Sequence, residues 1–250
     1  MSKAICLTLL ASLALASALA QNGVANSTKN PQQIAILHWY PANLTTSFPV
    51  GSASGVAFDG ANIWVTNANN STVTKLRPSD GAVLGVFGPL QAGPQAMAFD
   101  GANIWVYGQF LDKVRASDGA ILGRVQGGGS GPGDILFDGT NIWVTCSACD
   151  TGAISKIRPS DGVGLASFFL GPSDGGRRHA TGIAFDGANL WVALSGFDVN
   201  GAAVQSVIKV RPSDGAQLGA FAVGNGPEGV AFDGANIWVA NGSSGSVSKL

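Results

Sequence analysis

An all-β fold built from one repeated unit is predicted by three observations. Glycine supplies 36 of the 250 residues and charged residues only 12%, about twice and half their usual shares. That balance suits many tight turns joining strands that are covered on both faces. One unit, marked by Phe-Asp-Gly, returns five times along the chain, and none of its copies shows a helical period. The net charge of −1 offers no general attraction to nucleic acid or anionic lipid.

The Phe-Asp-Gly copies place aspartates at Asp59, Asp100, Asp138, Asp186 and Asp233, spaced 41, 38, 48 and 47 residues apart. Those spacings fall in the range of propeller blades. Each copy runs on to Asn-Ile/Leu-Trp-Val, which puts Trp64, Trp105, Trp143, Trp191 and Trp238 in equivalent slots. A second signature, Ser-Asp-Gly, follows at Asp80, Asp118, Asp161 and Asp214.

Each copy reads as four short strands. In the first, Gly55 to Phe58 precedes an Asp-Gly hairpin turn, in which glycine supplies the positive φ. Ile63 to Thr66 is rich in β-branched and aromatic residues. Thr72 to Arg77 is the third strand, Pro78-Ser79-Asp80-Gly81 a turn, and Ala82 to Phe87 the fourth. The first two strands are apolar at nearly every position, as a radial ring of sheets requires. The third alternates, with Lys75 and Arg77, Lys113 and Arg115, Lys156 and Arg158, and Lys209 and Arg211 on one face. This alternation reads as a solvated outer strand guarding the sheet edge. The repeated aspartates read as turn formers, because every copy has one.

Residues 1–20 form a positive start, an apolar run and Ala18-Leu19-Ala20, the pattern of an export signal. Residues 21–43 are a lead-in, and residues 44–250 the repeat domain. Leu44 to Gly51 resembles a fourth strand lacking its sheet, and the last copy ends after its third strand. The expectation is therefore a β-propeller of five four-stranded blades, the last completed by the N-terminal strand in a 3+1 clasp. A closed ring of that kind would be a monomer, and no membrane span is expected once the signal is removed.

Cys146 and Cys149 make a Cys-x-x-Cys pair, which fits a short disulfide, a redox motif or half a zinc site. Zinc would need two further ligands, and His38 and His179 are the only imidazoles. Export to an oxidising compartment favours the disulfide.

The Gly-Val-Ala-Phe-Asp-Gly-Ala-Asn-Ile-Trp-Val and Thr-Lys-Leu-Arg-Pro-Ser-Asp-Gly patterns resemble bacterial exported propellers of the YVTN and NHL-like type. More broadly they resemble virginiamycin B lyase (streptogramin lyase) propellers. The resemblance spans residues 44 to 250. It implies a secreted or periplasmic bacterial protein and leaves function open, since propellers host binding proteins and enzymes alike.

The segments that fail to repeat all lie on the face opposite the Asp-Gly turns, and binding residues favour variable loops on a rigid scaffold. Aligned on Phe-Asp-Gly, the innermost strands enter at Ser54, Gln95, Asp134, Thr181 and Glu228, expected to ring one mouth of a channel. Glu228 is the sole glutamate, and with Asp134 it could hold a cation or divide acid and base roles. Arg177 and Arg178 could present guanidinium forks to an anion, with His179 beside them. The expected function is a binding or interaction module for a small molecule, glycan or protein, with no cofactor. The lyase resemblance implies the alternative, a carbon-oxygen lyase with Mg2+ in which His179 and Glu228 are catalytic.

Overall fold

Every copy of the repeat folds into one antiparallel meander. The first sheet is β1 (Ala53–Phe58), β2 (Ile63–Asn67), β3 (Thr72–Leu76) and β4 (Val83–Phe87). The second is β5 (Ala96–Phe99), β6 (Asn103–Tyr107), β7 (Leu111–Arg115) and β8 (Ile121–Val125). The third is β9 (Pro132–Phe137), β10 (Ile142–Cys146), β11 (Ala153–Ile157) and β12 (Gly164–Phe169). The fourth, β13 (Arg177–Phe185), β14 (Leu190–Phe197), β15 (Ala203–Val210) and β16 (Gln217–Ala222), has longer strands. The fifth holds three described strands, β17 (Pro227–Phe232), β18 (Ile237–Asn241) and β19 (Ser246–Lys249). This computed structural model describes residues 47–90, 93–125, 131–171 and 176–250. The chain divides into two units, Met1–Phe48 and Pro49–Leu250. All five sheets belong to the second unit. The export signal, the lead-in and the first clasp residues, 44–46, lie outside the described residues.

The Asp-Gly hairpins do more than turn the chain. In the first, Asp59 Oδ1 accepts the backbone N–H groups of Ala61 and Asn62, while Oδ2 accepts the Trp64 indole N–H at 2.8 Å. The same indole bond recurs at Asp100–Trp105, Asp138–Trp143, Asp186–Trp191 and Asp233–Trp238, at 2.6–2.7 Å. Glycine follows each aspartate with φ between +90° and +97°, a region in which a Cβ would clash with the backbone. One carboxylate thus closes the turn and satisfies the one polar atom of a tryptophan that can then be buried whole.

Consecutive sheets pack face to face through these tryptophans. Trp64 and Val73 of the first sheet meet Met97, Ile104, Val106 and Val114 of the second. Trp105 and Leu111 meet Ile135, Ile142 and Val144 of the third. Trp143 and Ile154 meet Ile183, Leu190 and Val192 of the fourth, and Trp191 and Val207 meet Ile237 and Val239 of the fifth. A tryptophan carries about 150–250 Å² of surface, so each such burial is worth roughly 4–6 kcal/mol of transfer free energy. The innermost strands follow one another in chain order, β1, β5, β9, β13 and β17. Their backbones run so close that a Cβ at Gly182 would lie 2.1 Å from the Glu228 carbonyl oxygen.

The lysines of the third strands are not the solvated guard that the alternation suggests. Strand four, not strand three, forms the outer edge of each complete sheet. Lys75, Lys113, Lys156, Lys209 and Lys249 lie over the rings of Trp64, Trp105, Trp143, Trp191 and Trp238, with Nζ 4.8–5.3 Å from the centroids. Three of them also reach the next sheet. Lys75 donates to the Ala116 carbonyl, Lys113 to that of Pro159 and Lys156 to that of Pro212. Their four-carbon stems are covered while the ammonium is hydrogen-bonded, which is how a lysine tolerates such a place. The arginines two residues on pair instead with the aspartate of the following turn, Arg77 with Asp80, Arg115 with Asp118, Arg158 with Asp161 and Arg211 with Asp214. These pairs are half-exposed, and such surface pairs add little stability.

The clasp is not formed among the described residues. Ser47 to Val50 join no strand, and β19 pairs only with β18. Nor do the first and last sheets cover one another. Val56 and Phe58 on the first sheet and Trp238 on the last are 64%, 55% and 38% exposed.

Replacing Asp100 by Ala strips the acceptor from Trp105, which is 1% exposed, and unmakes the turn. The unpaired indole N–H should cost about 2 kcal/mol, read as a lower urea midpoint with an unchanged slope. The turn carboxylates also set the acid limit. Burial alone would raise Asp59, Asp100 and Asp186, but hydrogen bonds from the indole and the turn N–H groups outweigh it and hold them below 3.8. Asp233, with its Trp238 bond foremost, is held lower still. A depressed folded-state pKa contributes stability that is complete above the unfolded value and lost as pH falls through the folded one. The urea midpoint should therefore hold level from neutrality to about pH 5 and fall steeply below about pH 4.

Candidate functional site

The face opposite the Asp-Gly turns carries an open cavity of about 450 Å³ between the fourth and fifth sheets. His179 and Thr181 reach it from β13, Phe197 from β14, Gln205 from β15 and Glu228 from β17, with Asn225 and Ser243 on the adjoining connections. Its wall is tall because β13, β14 and β15 run past the usual strand length. Residues 177–181, 195–197 and 203–205, which fall in segments that differ between copies, are paired strand. Arg177 pairs with Phe197, His179 with Ser195, and Phe197 with Ala203.

The His179 ring is fixed by the neighbouring sheet. Its Nδ1 lies 2.8 Å from the carbonyl oxygen of Ser147. A carbonyl only accepts, so Nδ1 carries the proton and Nε2 is the ring nitrogen left for a ligand. Ser147 sits inside the Cys146–Cys149 disulfide, a four-residue loop held at several points. Its N–H donates to the Gly131 carbonyl and its hydroxyl to that of Pro132. Further along, Arg178 N–H donates to the Asp150 carbonyl and Gly152 N–H to that of Arg178. The disulfide loop is therefore stapled along β13, and the imidazole inherits its position.

Glu228 is exposed and has no hydrogen-bond partner among the described residues. Its carboxylate rests against Gly242, where a Cβ would come within 2.9 Å of Oε1. Gln205 is already engaged, its Oε1 accepting from Gly226 N–H, and the Thr181 hydroxyl donates to the Pro227 carbonyl at 2.8 Å. These two bonds tie β13 and β15 to the entry of β17. His179 Nε2 and the Glu228 carboxylate are thus two acceptors open to the cavity, beside the side chains of Ser195, Asn225 and Ser243, with the half-exposed ring of Phe197 at the rim.

The structure brings His179, Thr181 and Glu228 together and sets the other predicted residues elsewhere. Ser54 and Gln95 are exposed at the entries of β1 and β5 and do not line this cavity. Asp134 bridges two sheets. Its Oδ1 accepts from Ile135 N–H and its Oδ2 from Ile183 N–H. Burial, only partly offset by those two bonds, raises its pKa. Arg178 is 3% exposed, with its guanidinium on the Phe197 and Arg177 carbonyls, whereas Arg177 is exposed beside Asp150 at 3.7 Å. Gln205, Asn225 and Ser243 were missed, although the connections that bear them are among those that differ between copies. Among the described residues, no group of three or more His, Cys, Asp or Glu side chains converges as a metal site would.

No family model matches the chain, and no curated protein matches it by sequence. In structure it is similar to hydrazine synthase from Kuenenia stuttgartiensis, with a TM-score of 0.61 and 18% identity over 83% of this chain and 68% of that one. It is also similar to a functionally unknown protein from Desulfotomaculum acetoxidans DSM 771, with a TM-score of 0.60 and 17% identity over 82% of this chain and 70% of that one. At such identities the likeness speaks to fold alone. The fold is all-β and propeller-like.

Opening the disulfide should release the imidazole. In a Cys146→Ala/Cys149→Ala variant the slowly exchanging Nδ1 proton of His179 should disappear from the NMR spectrum while the sheet signals persist. So short a loop should cost about 2 kcal/mol at most.

Proposed function

We propose that the chain is an exported five-bladed propeller of the YVTN and NHL-like type, secreted or periplasmic, that acts as a binding module. Its ligand, a small polar molecule, a glycan or a protein segment, occupies the loop-face cavity and donates hydrogen bonds to His179 Nε2 and the Glu228 carboxylate. The observation that carries this reading is that His179 Nε2 and the Glu228 carboxylate, neither with a hydrogen-bond partner among the described residues, line one cavity. Pre-formed pockets with a few convergent polar groups are where ligands are held, and walls fixed in advance lower the ordering cost of binding.

A panel of saccharides and short basic peptides, followed by thermal shift, tests it. At least one class should raise the melting temperature of the native chain, and Glu228→Gln or His179→Ala should abolish that rise. A rise that survives both substitutions would place the ligand elsewhere.

A second reading, a streptogramin-lyase-like carbon-oxygen lyase, rests on the same approach of His179 to Glu228. The cavity offers one carboxylate, that of Glu228, too few oxygen ligands among the described residues for a protein-built magnesium site, so no step is drawn through the metal. His179 Nε2 would serve as the base. Turnover of a streptogramin lactone that His179→Ala abolishes would favour this reading over binding alone.

A further inference from the structure

Two sheet faces stand open, and they are the two halves of an interface that the molecule already makes four times. On the first sheet, Val56 and Phe58 are 64% and 55% exposed, whereas the residues equivalent to Val56, namely Met97, Ile135 and Ile183, are 4–8% exposed. On the fifth, Trp238 and Val247 are 38% and 64% exposed, against 0–8% for Trp64, Trp105, Trp143 and Trp191 and 0% for Val73, Leu111, Ile154 and Val207. Large apolar side chains in one slot are covered where another sheet follows; the fifth sheet also has, among the described residues, no fourth strand of the kind whose Phe87, Phe168 and Phe221 lie against Trp64, Trp143 and Trp191 elsewhere. Exposed apolar surface of this kind marks an interaction site.

The polar groups match as the apolar ones do. At three internal interfaces the lysine over the tryptophan donates to the carbonyl that follows the turn arginine, at Ala116, Pro159 and Pro212. Pro78 follows Arg77 in the same position on the first sheet, exposed, and its carbonyl accepts no hydrogen bond among the described residues. Lys249 lies over Trp238 with no carbonyl acceptor among the described residues. One open face therefore presents the donor and the other the acceptor of a bond already formed three times.

We propose that the chain associates head to tail with a second copy of itself. The fifth sheet of one molecule docks on the first sheet of the next, Trp238 and Val247 cover Val56 and Phe58, and Lys249 donates to the Pro78 carbonyl of the second copy. The contact is heterologous, the two surfaces being different, so it propagates to a ring or a chain. A second copy is the occupant that the interior interfaces specify, because it carries the repeat sequence that these faces accept elsewhere. Closure of the two faces within one molecule would consume the same surfaces and leave a monomer.

The test uses the whole chain and two variants, Phe58→Arg and Val247→Arg, both at exposed positions and outside the cavity. Light scattering after size exclusion should give at least twice the monomer mass for the native chain, rising with concentration. Each variant alone should run as a folded monomer of native circular dichroism. Mixed in equal amounts they should form dimers and nothing larger, since each retains the one face the other has lost. A native chain that stays monomeric at all concentrations, variants that still self-associate, or a mixture that stays monomeric would each overturn the proposal.

Discussion

Five carboxylate–indole hydrogen bonds carry the architecture. A tryptophan is the largest apolar load a short strand can bring to a sheet face, yet its N–H must find a partner before it can be buried. The hairpin aspartate supplies that partner from five residues away while its other oxygen closes the turn. Local geometry and long-range packing therefore depend on the same side chain. The lysine then closes the far side of the ring, and its ammonium links one sheet to the backbone of the next. Turn, core and inter-sheet contact form one connected device, repeated with small changes.

Much of this was legible in the sequence. Strand positions, turn chemistry and the five-fold count followed from glycine, proline and β-branched residues in fixed order, each of which acts within a few residues of itself. The lysines were misread for a specific reason. Alternation tells which residues share a face, and it says nothing about what lies beyond that face. An alternating third strand looks like an edge until the fourth strand is seen to take the edge and the next sheet to cover the lysine. The long hairpin of the fourth sheet was hidden likewise. Arg177 to Thr181 has the polar, glycine-flanked look of a loop and becomes strand because Ser195 and Phe197 lie opposite to pair with it.

The candidate site was half legible for a related reason. Asking which positions differ between copies found His179, Thr181 and Glu228, three residues that do share a cavity. The same question could not separate a side chain that faces the cavity from one that turns inward. Asp134 occupies nearly the same slot as Glu228, yet Ile183 N–H captures it and makes it a strut between sheets. Arg178 neighbours His179 and turns into the carbonyl of Phe197. Gln205 and Asn225 lie in stretches with no charged signature, so only the fold could gather them.

Because each sheet covers the one before it through an equivalent face, the array has a direction, and lengthening it by one copy of the repeat buries one face and bares another just like it. The count of open faces is two at any length. Gene duplication could therefore add or remove a stretch of some forty residues without redesigning a single contact. What selection must then shape separately in each copy is only the face where the copies already differ.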